Sequence, residues 1–359
     1  MKILTICTVD LDKNGITSCI LNYFNQIASP ENIIDIVAPN NVSDGIKRLI
    51  LNKGMKLFEL PMRKRSTVKY FCQLVKVIKA GKYDVIHAHG NSCTLVIEMW
   101  AGLLGGCSVR IAHSHNTTCE HIKAHKMLRW AFELSCNGRF ACGEKAGEWL
   151  FGKKPFVVVK NSVDLNLYKQ NQTVRAALRS QLNVGKDEVL LGHVGVFNYQ
   201  KNHEFLLDVF TELCKRENRY RLVCIGDGNR KSKIEKLAKE HGIDNRIIFT
   251  GNISNMSEYM QAIDCLLLPS HYEGVPFVLI EAQAAGVMSI VSNNVPEEVN
   301  ISRKIKFLPL DRPIWCNEIQ KASFNREDNK EKLIEEGFEI TENARIMVEN
   351  YRILMGKNT

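Results

Sequence analysis

The first half of the chain alternates short apolar runs rich in β-branched residues with amphipathic stretches of helical period. The apolar runs are KILTICTV, IIDIVA, KLFEL, YDVIHAH and VRIAHSH, and the helical stretches centre on ILNYFNQI, VKYFCQLVKVI and HKMLRWAFELSC. Such alternation is typical of parallel βαβ units, because each new parallel strand needs a crossover helix. We therefore predict a doubly wound α/β sheet in this half.

A second alternating series begins near residue 189 and contains the apolar runs VLLGHVGVF, RLVCIGDG, IIFTGN, CLLLPS and MSIVS. A late segment, EKLIEEGFEITENARIMVENYRILM, is predicted as helix with no strand after it. The length of 359 residues exceeds what one core usually organises. We predict two Rossmann-like domains, 1–162 and 163–339, with a terminal helix of about 340–359 packing back across the junction.

Charge is distributed unevenly along the chain. Residues 1–160 hold 22 Lys and Arg against 12 Asp and Glu, whereas residues 161–359 hold 26 against 27. Such a field attracts an anionic partner, either nucleic acid or an acidic membrane surface, although a merely solvated basic surface remains an alternative. The twelve cysteines form no C-x-x-C pair, and no signal-peptide core or 18-residue apolar run is present. These features favour a cytoplasmic protein with reduced thiols.

Residues that suit ligand binding follow the predicted strands. They are Gly15, His87, His89, His113, His115, Lys201 and Glu273. Open parallel sheets bind ligands beyond the carboxyl ends of their strands, so these positions are candidate site residues. A histidine held in the core is the alternative for each of the four histidines.

The stretch SHYEGVPFVLIEAQAAG, residues 270–286, places Glu273 and Glu281 eight positions apart before Gly286. Its pattern P-S-x-x-E-G-x-P-x-x-x-x-E-A-x-A-x-G resembles the signature of the family 4 retaining glycosyltransferases. The stretches KNSVDLNLY, GHVGVFNYQKN, CIGDGNRKSKIEKLA and IIFTGN follow the order of that family. YDVIHAHG, VRIAHSHN and QKNHEFL most resemble its capsular and exopolysaccharide transferases. The resemblance covers residues 1–355 and implies a GT-B fold, with two Rossmann-like domains facing across a cleft.

The resemblance also implies roles for individual residues. Glu273 would bind sugar hydroxyls and face the positive charge that develops at the anomeric carbon. Glu281 would accept the two ribose hydroxyls, and Lys201 would neutralise the departing diphosphate. His115 would reach the donor sugar or the reacting oxygen, and His113, which has the same strand parity, could exchange roles with it. Further donor-binding residues are implied at Gly15, Gly274, Val275, Pro276 and Phe277.

One residue departs from the family pattern, because Val196 follows Gly195 where the family usually has arginine. Arg230, after Gly226-Asp227-Gly228, is our candidate substitute, with Lys231 as a competitor and an ordinary solvated arginine as the alternative. The D-x-D sequence Asp10-Leu11-Asp12 binds metal in a different transferase fold. Because the family resembled here is metal-independent, we expect neither a metal nor another cofactor.

The resemblance predicts retaining hexosyl transfer from a nucleoside-diphosphate sugar to a glycan or polyprenyl-diphosphate-linked acceptor in capsular or exopolysaccharide synthesis. UDP is the commonest nucleotide of that family. The leaving phosphate would itself take the acceptor proton, which agrees with the absence of an obvious general base in the sequence. Two alternatives remain: a nucleotide-sugar 2-epimerase of similar architecture, and a relative that binds nucleotide without turnover. No nucleic acid partner is expected.

The amino-terminal half also carries candidate contacts with an anionic membrane surface, which would make the protein peripheral on the inner membrane face. Arg63, Lys64, Arg65 and Lys69 lead into a helix whose apolar stripe is Val68, Phe71, Leu74, Val75 and Ile78. A second candidate surface is His121, Lys123, Lys126, Arg129 and Trp130. The alternative is that each stripe is the buried face of a Rossmann helix.

Overall fold

The computed structural model describes residues 1–12 and 14–356, which divide into two compact units. The first unit comprises Met1–Ser162 together with the chain from Ile340 onward. The second unit is Val163–Glu339. Each unit is built around its own parallel sheet.

The sheet of the first unit has seven parallel strands in the order β3-β2-β1-β4-β5-β6-β7. The strand order places β4 between β1 and β5, so that His89 lies in register with Cys7 on one side and His113 on the other. The strands are β1 Lys2–Cys7, β2 Ile33–Ala38, β3 Lys56–Glu59, β4 Val85–His89, β5 Val109–Ser114, β6 Gly138–Ala141 and β7 Val157–Val158.

Among the described residues of this unit, seven α-helices pack with the sheet, and their apolar faces form its core. Tyr70, Leu74 and Phe132 are among the core side chains that are almost completely buried. The terminal helix, α14, belongs to this unit and packs on α1. The helices are α1 Gly15–Ile27, α2 Asp44–Asn52, α3 Thr67–Gly81, α4 Val96–Gly105, α5 Ile122–Ser135, α6 Glu144–Phe151 and α14 Ile340–Leu354.

The second unit has six parallel strands in the order β10-β9-β8-β11-β12-β13. Phe197, Phe210 and Trp315 are fully buried in its core. Its strands are β8 Val189–Val194, β9 Tyr220–Ile225, β10 Ile247–Gly251, β11 Cys265–Leu268, β12 Met288–Ser292 and β13 Ile305–Leu308. Its helices are α7 Gln172–Gln181, α8 His203–Arg216, α9 Lys231–Glu240, α10 Met256–Ala262, α11 Phe277–Ala284, α12 Arg312–Lys321 and α13 Lys330–Glu335.

Several elements were not predicted from the pattern. The unpredicted elements are α2, α4, α7, α12 and β13, and the late helical segment is two helices, α13 and α14, separated by a turn through Gly337. In the strand β13, IKFL, Lys306 interrupts the apolar residues and only Ile305 is buried, so the sequence shows no clear apolar run there. The helix α4 is apolar nearly all round, so its sequence lacks the polar face that marks an amphipathic helix.

The prediction that the apolar stripe of α3 contacts lipid is wrong for most of that stripe. Leu74 and Ile78 are buried in the core, and Phe71 and Val75 pack against it. Only Val68 stands exposed, since it lies in the first turn, beyond the edge of the packed layer. The apolar stripe is therefore the buried face of a Rossmann helix, which was the alternative interpretation.

Two of the basic residues proposed as lipid contacts are also engaged within the fold. The Arg63 guanidinium donates to both oxygens of the buried Glu98 carboxylate, at 2.7 and 3.1 Å. Arg129 donates to the carbonyls of Trp149 and Leu150 and is only partly exposed. A buried carboxylate needs a charged partner, which fixes Arg63 inward. Arg63 is therefore not available as a surface cation, and Arg129 is only partly available.

Across the described ranges, 1–12 and 14–356, none of the helices combines the length and the apolar character that crossing a bilayer requires.

Candidate functional site

The loops that follow β8 and β11 meet at the carboxyl edge of the second sheet, where they bring Lys201 and Glu273 together. The Lys201 ammonium donates to Glu273 Oε1 at 2.6 Å, and both side chains are largely buried. The Ser270 hydroxyl donates to the same oxygen at 2.6 Å, and Gln200 Nε2 reaches Glu273 Oε2 at 3.3 Å. The carboxylate is therefore held in one orientation by three donors from two loops.

The loop after β8 is shaped by the turn that follows β9. Gly226 and Gly228 both have positive φ, and an added Cβ would come within 2.1 Å of the Gly195 carbonyl and 2.6 Å of the Phe197 carbonyl, respectively. The Phe197 carbonyl accepts from the Arg230 amide at 3.0 Å, which ties the two loops together. Only glycine permits this close approach of two backbones. The turn thus positions the loop that carries Lys201.

The helix α11 begins directly after the loop of Glu273. Pro276 is its N-cap and provides no capping side chain, so the first backbone N–H groups of the helix are left for an anionic ligand. Val275 and Phe277 are buried and anchor this helix start, while Gly274 joins it to Glu273. The arrangement places a cation, a carboxylate and the positive end of a helix beside one another.

Glu281 lies one turn further along α11 and is partly buried. Its Oε1 accepts a hydrogen bond from the Tyr168 hydroxyl at 2.9 Å. Burial raises the pKa of Glu281 to about 7, and the hydrogen bond from Tyr168 acts in the opposite direction. A carboxyl whose pKa lies near neutrality and is raised by desolvation is typical of a ligand-binding position.

Arg230 is the N-cap residue of α9 and lies at the same edge of the second sheet. Its guanidinium forms an ion pair with Glu204 at 3.3 Å, and its centre lies 5.9 Å from the ring centroid of Tyr199. About a third of the side chain is exposed, at 32%. Arg230 is therefore engaged with Glu204, which lies in the first turn of α8, the helix that follows Lys201.

The first unit holds the remaining two predicted site residues, Gly15 and His115. Gly15 begins α1, and an added Cβ would meet no described atom within 4 Å, so packing within the fold does not require glycine there. His115 directly follows β5 and is partly exposed, and burial lowers its pKa to about 3. His113 is fully buried and bonded through Nδ1 to His87 Nε2 at 3.0 Å. Of the two histidines, His115 is the one that a ligand can reach.

Three partners of the site residues were not identified from sequence. Ser270 and Gln200 orient Glu273, and Tyr168 contacts Glu281 from a position 113 residues earlier. Each lies inside a stretch that carried the family resemblance. The available signal was a polar side chain close to a candidate residue: Ser270 lies three positions before Glu273, and Gln200 directly precedes Lys201. The position of Tyr168 in the sequence gave no such signal.

Comparisons with known proteins agree with this architecture. Residues 174–308 match the family model described as "Glycosyl transferases group 1". "Putative glycosyltransferase EpsF" of Bacillus subtilis is 29% identical over 97% of this chain and 96% of its own length. An Escherichia coli protein, "UDP-Gal:alpha-D-GlcNAc-diphosphoundecaprenol alpha-1,3-galactosyltransferase", is 25% identical over 68% of this chain and 67% of its own length. The structure of Anabaena Alr3699/HepE in complex with UDP-glucose superposes with a TM-score of 0.72 and 18% identity, covering 99% of this chain and 98% of that one.

The two parallel sheets and these likenesses define a protein with the GT-B fold. Residues 174–308 form a group 1 glycosyltransferase domain, as the resemblance of residues 270–286 predicted. The matched segment, 174–308, contains Lys201, Glu273 and Glu281.

The buried ion pair predicts a stability effect that can be measured without substrate. Lys201→Met should lower the free energy of unfolding by about 3 kcal/mol, because it leaves the Glu273 carboxylate buried without a cation. The double variant Lys201→Met/Glu273→Gln should recover most of that loss, since no charge remains. Lys233→Met is the matched control, because its pair with Glu204 is exposed and is worth less than about 1 kcal/mol. Thermal and urea unfolding of the four proteins measure this, and a double variant no more stable than Lys201→Met would contradict it.

Proposed function

We propose that this protein transfers a hexosyl group from a UDP-sugar to a glycan or lipid-linked glycan acceptor, with retention of configuration, in exopolysaccharide or capsule synthesis. The observation that carries the proposal is the Lys201–Glu273 pair directly before the uncapped start of α11. A diphosphate needs a cation and N–H donors, and a sugar needs a fixed carboxylate for its hydroxyls. All of these groups lie at one edge of the second sheet.

The relatives support the choice of donor and acceptor by what their names state. The E. coli relative is named for UDP-Gal as donor and a diphosphoundecaprenol-linked acceptor. A Staphylococcus aureus relative is named as a capsular polysaccharide biosynthesis glycosyltransferase. Anabaena HepE was solved with UDP-glucose. A UDP-hexose and a lipid-linked glycan are accordingly the substrates that we propose for this chain.

In the proposed complex the diphosphate lies at the start of α11 and takes Lys201 as its cation. Glu273 keeps its bond to Ser270 and turns its remaining acceptor capacity to the sugar hydroxyls and to the developing charge at the anomeric carbon. Glu281 accepts the ribose hydroxyls. Arg230 adds a second cation on release from Glu204, which compensates for Val196 at the position where the family usually has arginine.

The reaction that we propose needs no general base from the protein. The leaving phosphate oxygen takes the proton of the acceptor hydroxyl on the face from which it departs, so the product keeps the configuration of the donor. Lys201 and the helix N–H groups stabilise the negative charge on the diphosphate. His115, which is neutral because of burial, contributes a hydrogen bond to the donor sugar or to the reacting oxygen. No metal ion takes part in this step.

We also propose that the first unit docks on an anionic membrane surface through exposed residues of α3, α4 and α5. These helices are neighbours in the order α3, α4, α5. Two groups of residues define the docking surface, and both are exposed. The apolar group is Trp100, Leu103, Leu104, Ile122, Met127, Trp130 and Leu134, and the basic group is Lys69, Lys76, Lys79, Lys123 and Lys126. Large exposed apolar side chains beside lysines are typical of proteins that lie on anionic lipid.

Transfer and its alternatives are separated by one experiment on the wild type and Glu273→Gln. With a UDP-hexose panel and lipid-linked acceptors, wild type should form a glycoside whose anomeric proton coupling matches that of the donor. Glu273→Gln should bind UDP at least as tightly, because Lys201 is released, yet turn over more slowly by on the order of 100-fold. Glu240→Gln is the control on an exposed carboxylate. An altered hexose formed from donor alone would indicate an epimerase, and tight UDP binding without product from any donor would indicate a non-catalytic relative.

The raised pKa of Glu281 predicts a pH dependence of donor binding. As the pH falls through about 7 the carboxylate takes a proton and loses acceptor capacity, so the dissociation constant of a UDP-sugar should rise. Tyr168→Phe removes the hydrogen bond that lowers this pKa, so its transition should move to higher pH. Glu281→Gln should bind more weakly with a flat profile. Titration calorimetry at a series of pH values measures the dissociation constant of the UDP-sugar. Its diphosphate has no proton to lose near neutrality, so the ligand itself adds no pH dependence. A Glu281→Gln profile as steep as that of wild type would contradict the prediction.

Membrane docking predicts which substitutions release the protein from lipid. Met127→Ser/Trp130→Ser/Leu134→Ser should abolish co-sedimentation with vesicles containing phosphatidylglycerol, because these side chains are about 70% exposed in the free protein. Lys123→Glu/Lys126→Glu should weaken binding by at least about fivefold per lysine. Leu49→Ser/Leu51→Ser, on α2, is the control for loss of exposed apolar residues elsewhere. Equal binding to phosphatidylcholine vesicles, or no effect of salt, would exclude the anionic surface.

A further inference from the structure

Four histidines and one cysteine lie close together beneath the carboxyl edge of the first sheet. His87 and His89 of β4 stack at 4.3 Å between ring centroids, and His113 and His115 stack at 4.2 Å beside them. Cys19 reaches this group from α1, with 1% of its surface exposed. Four of the five residues, Cys19, His89, His113 and His115, each offer a ligand atom within 4.8 Å of the others.

Two nitrogens in this group have no hydrogen-bond partner among the described residues, namely Nε2 of His89 and Nε2 of His113. Both side chains are almost completely buried, at 1% and 0% exposure. A buried polar atom without a partner is costly, and core histidines normally satisfy both ring nitrogens. The stacked histidines are therefore incompletely explained as ordinary core residues.

The remaining hydrogen bonds show which tautomers fit. His89 Nδ1 bonds His115 Nε2 at 2.9 Å, and His113 Nδ1 bonds His87 Nε2 at 3.0 Å. If each Nδ1 carries the proton and donates it, both free Nε2 atoms have lone pairs. A metal-ligating histidine has this arrangement, in which Nδ1–H donates to an outer partner and Nε2 binds the ion. His113 keeps His87 as its outer partner, whereas His115 must exchange the bond from His89 for the ion. The Tyr351 hydroxyl bonds His87 Nδ1 at 2.6 Å, so His87, the partner of His113, is itself held by a hydrogen bond.

From this geometry we infer that Cys19, His89, His113 and His115 form a binding site for Zn²⁺. One thiolate and three imidazoles are a ligand set that zinc accepts in tetrahedral geometry. The present spread of up to 4.8 Å is wider than a closed site, and closure on bonds of about 2.0–2.3 Å needs side-chain shifts of less than about 1 Å. On binding, His115 turns its Nε2 lone pair from the His89 Nδ1–H to the ion and keeps its own proton on Nδ1. The Cys19 thiol releases its proton to solvent and the sulfur bonds the ion.

This site goes beyond the proposed transfer and takes no part in stabilising its leaving group. It includes His115, the histidine that we propose for the donor sugar, so an occupied site holds His115 in the first unit. Zinc would then act as a negative effector of the transferase. Because binding of the ion can be measured directly, the site stands or falls separately from the proposed reaction.

Cobalt(II) is a suitable probe, since it substitutes for zinc and absorbs visible light. The chelator-stripped, reduced full chain should bind one Co²⁺ with a dissociation constant at or below about 1 µM. It should show the strong visible bands of a tetrahedral ion and a near-ultraviolet thiolate-to-cobalt band, and Zn²⁺ should displace the Co²⁺. Cys19→Ser should lose the thiolate band, whereas Cys72→Ser, which removes an exposed thiol, should keep it.

A second pair of variants tests the imidazoles. His113→Gln should weaken Co²⁺ binding at least tenfold, whereas His193→Gln, a buried histidine of the second unit whose Nε2 also lacks a described partner, should not. If the cluster variants fail to fold, zinc K-edge absorption of the wild type should show one sulfur and three nitrogen neighbours. Absence of stoichiometric binding, a thiolate band that depends on Cys72, or a shell of oxygen and nitrogen alone would overturn the inference.

Discussion

Every strand pairing within the two sheets is parallel, and this constraint organises the rest of the protein. Parallel strands end at one edge, so the residues that follow them are brought together whatever their distance along the chain. In the second unit, this edge unites Lys201 after β8 with Glu273 after β11, although 72 residues separate them. In the first unit, it aligns His89 with His113 in adjacent strands. The chemistry of each unit follows from the order of its strands.

The Lys201–Glu273 pair has two consequences that bear on catalysis. A carboxylate held by a lysine, a serine and a glutamine is preorganised, so little reorientation is needed when a sugar binds. The pair also keeps both charges satisfied in the free protein, where either charge alone would be costly to bury. In the reaction that we propose, the diphosphate supplies the lysine with a new anion and leaves the glutamate to the sugar. The ground state of the site is therefore stable, and the ligand changes the partners of existing charges.

The first unit shows how one fold assigns similar residues to different tasks. Most of the apolar stripe of α3 packs in the core, whereas α4 and α5 leave Trp100, Met127 and Trp130 exposed beside lysines. Likewise, the four histidines share one direction along β4 and β5, but only His115, at the strand end, is accessible. The buried members instead approach Cys19 of α1. The depth of a histidine below the sheet edge thus decides whether it is accessible at the surface or contacts other side chains in the interior.

The sequence by itself determined the fold class and the motif of the candidate site. Alternating apolar runs and helices are set by local periodicity, and the spacing of Glu273, Pro276 and Glu281 is a feature of one loop and one helix. Only the tertiary structure decided which face of each helix was buried, because an apolar stripe can pack on a core or on lipid with the same pattern. It also decided the long-range partners: Glu98 for Arg63, Tyr168 for Glu281 and Cys19 for the histidines. Such pairs depend on strand order and helix packing, which local sequence does not encode.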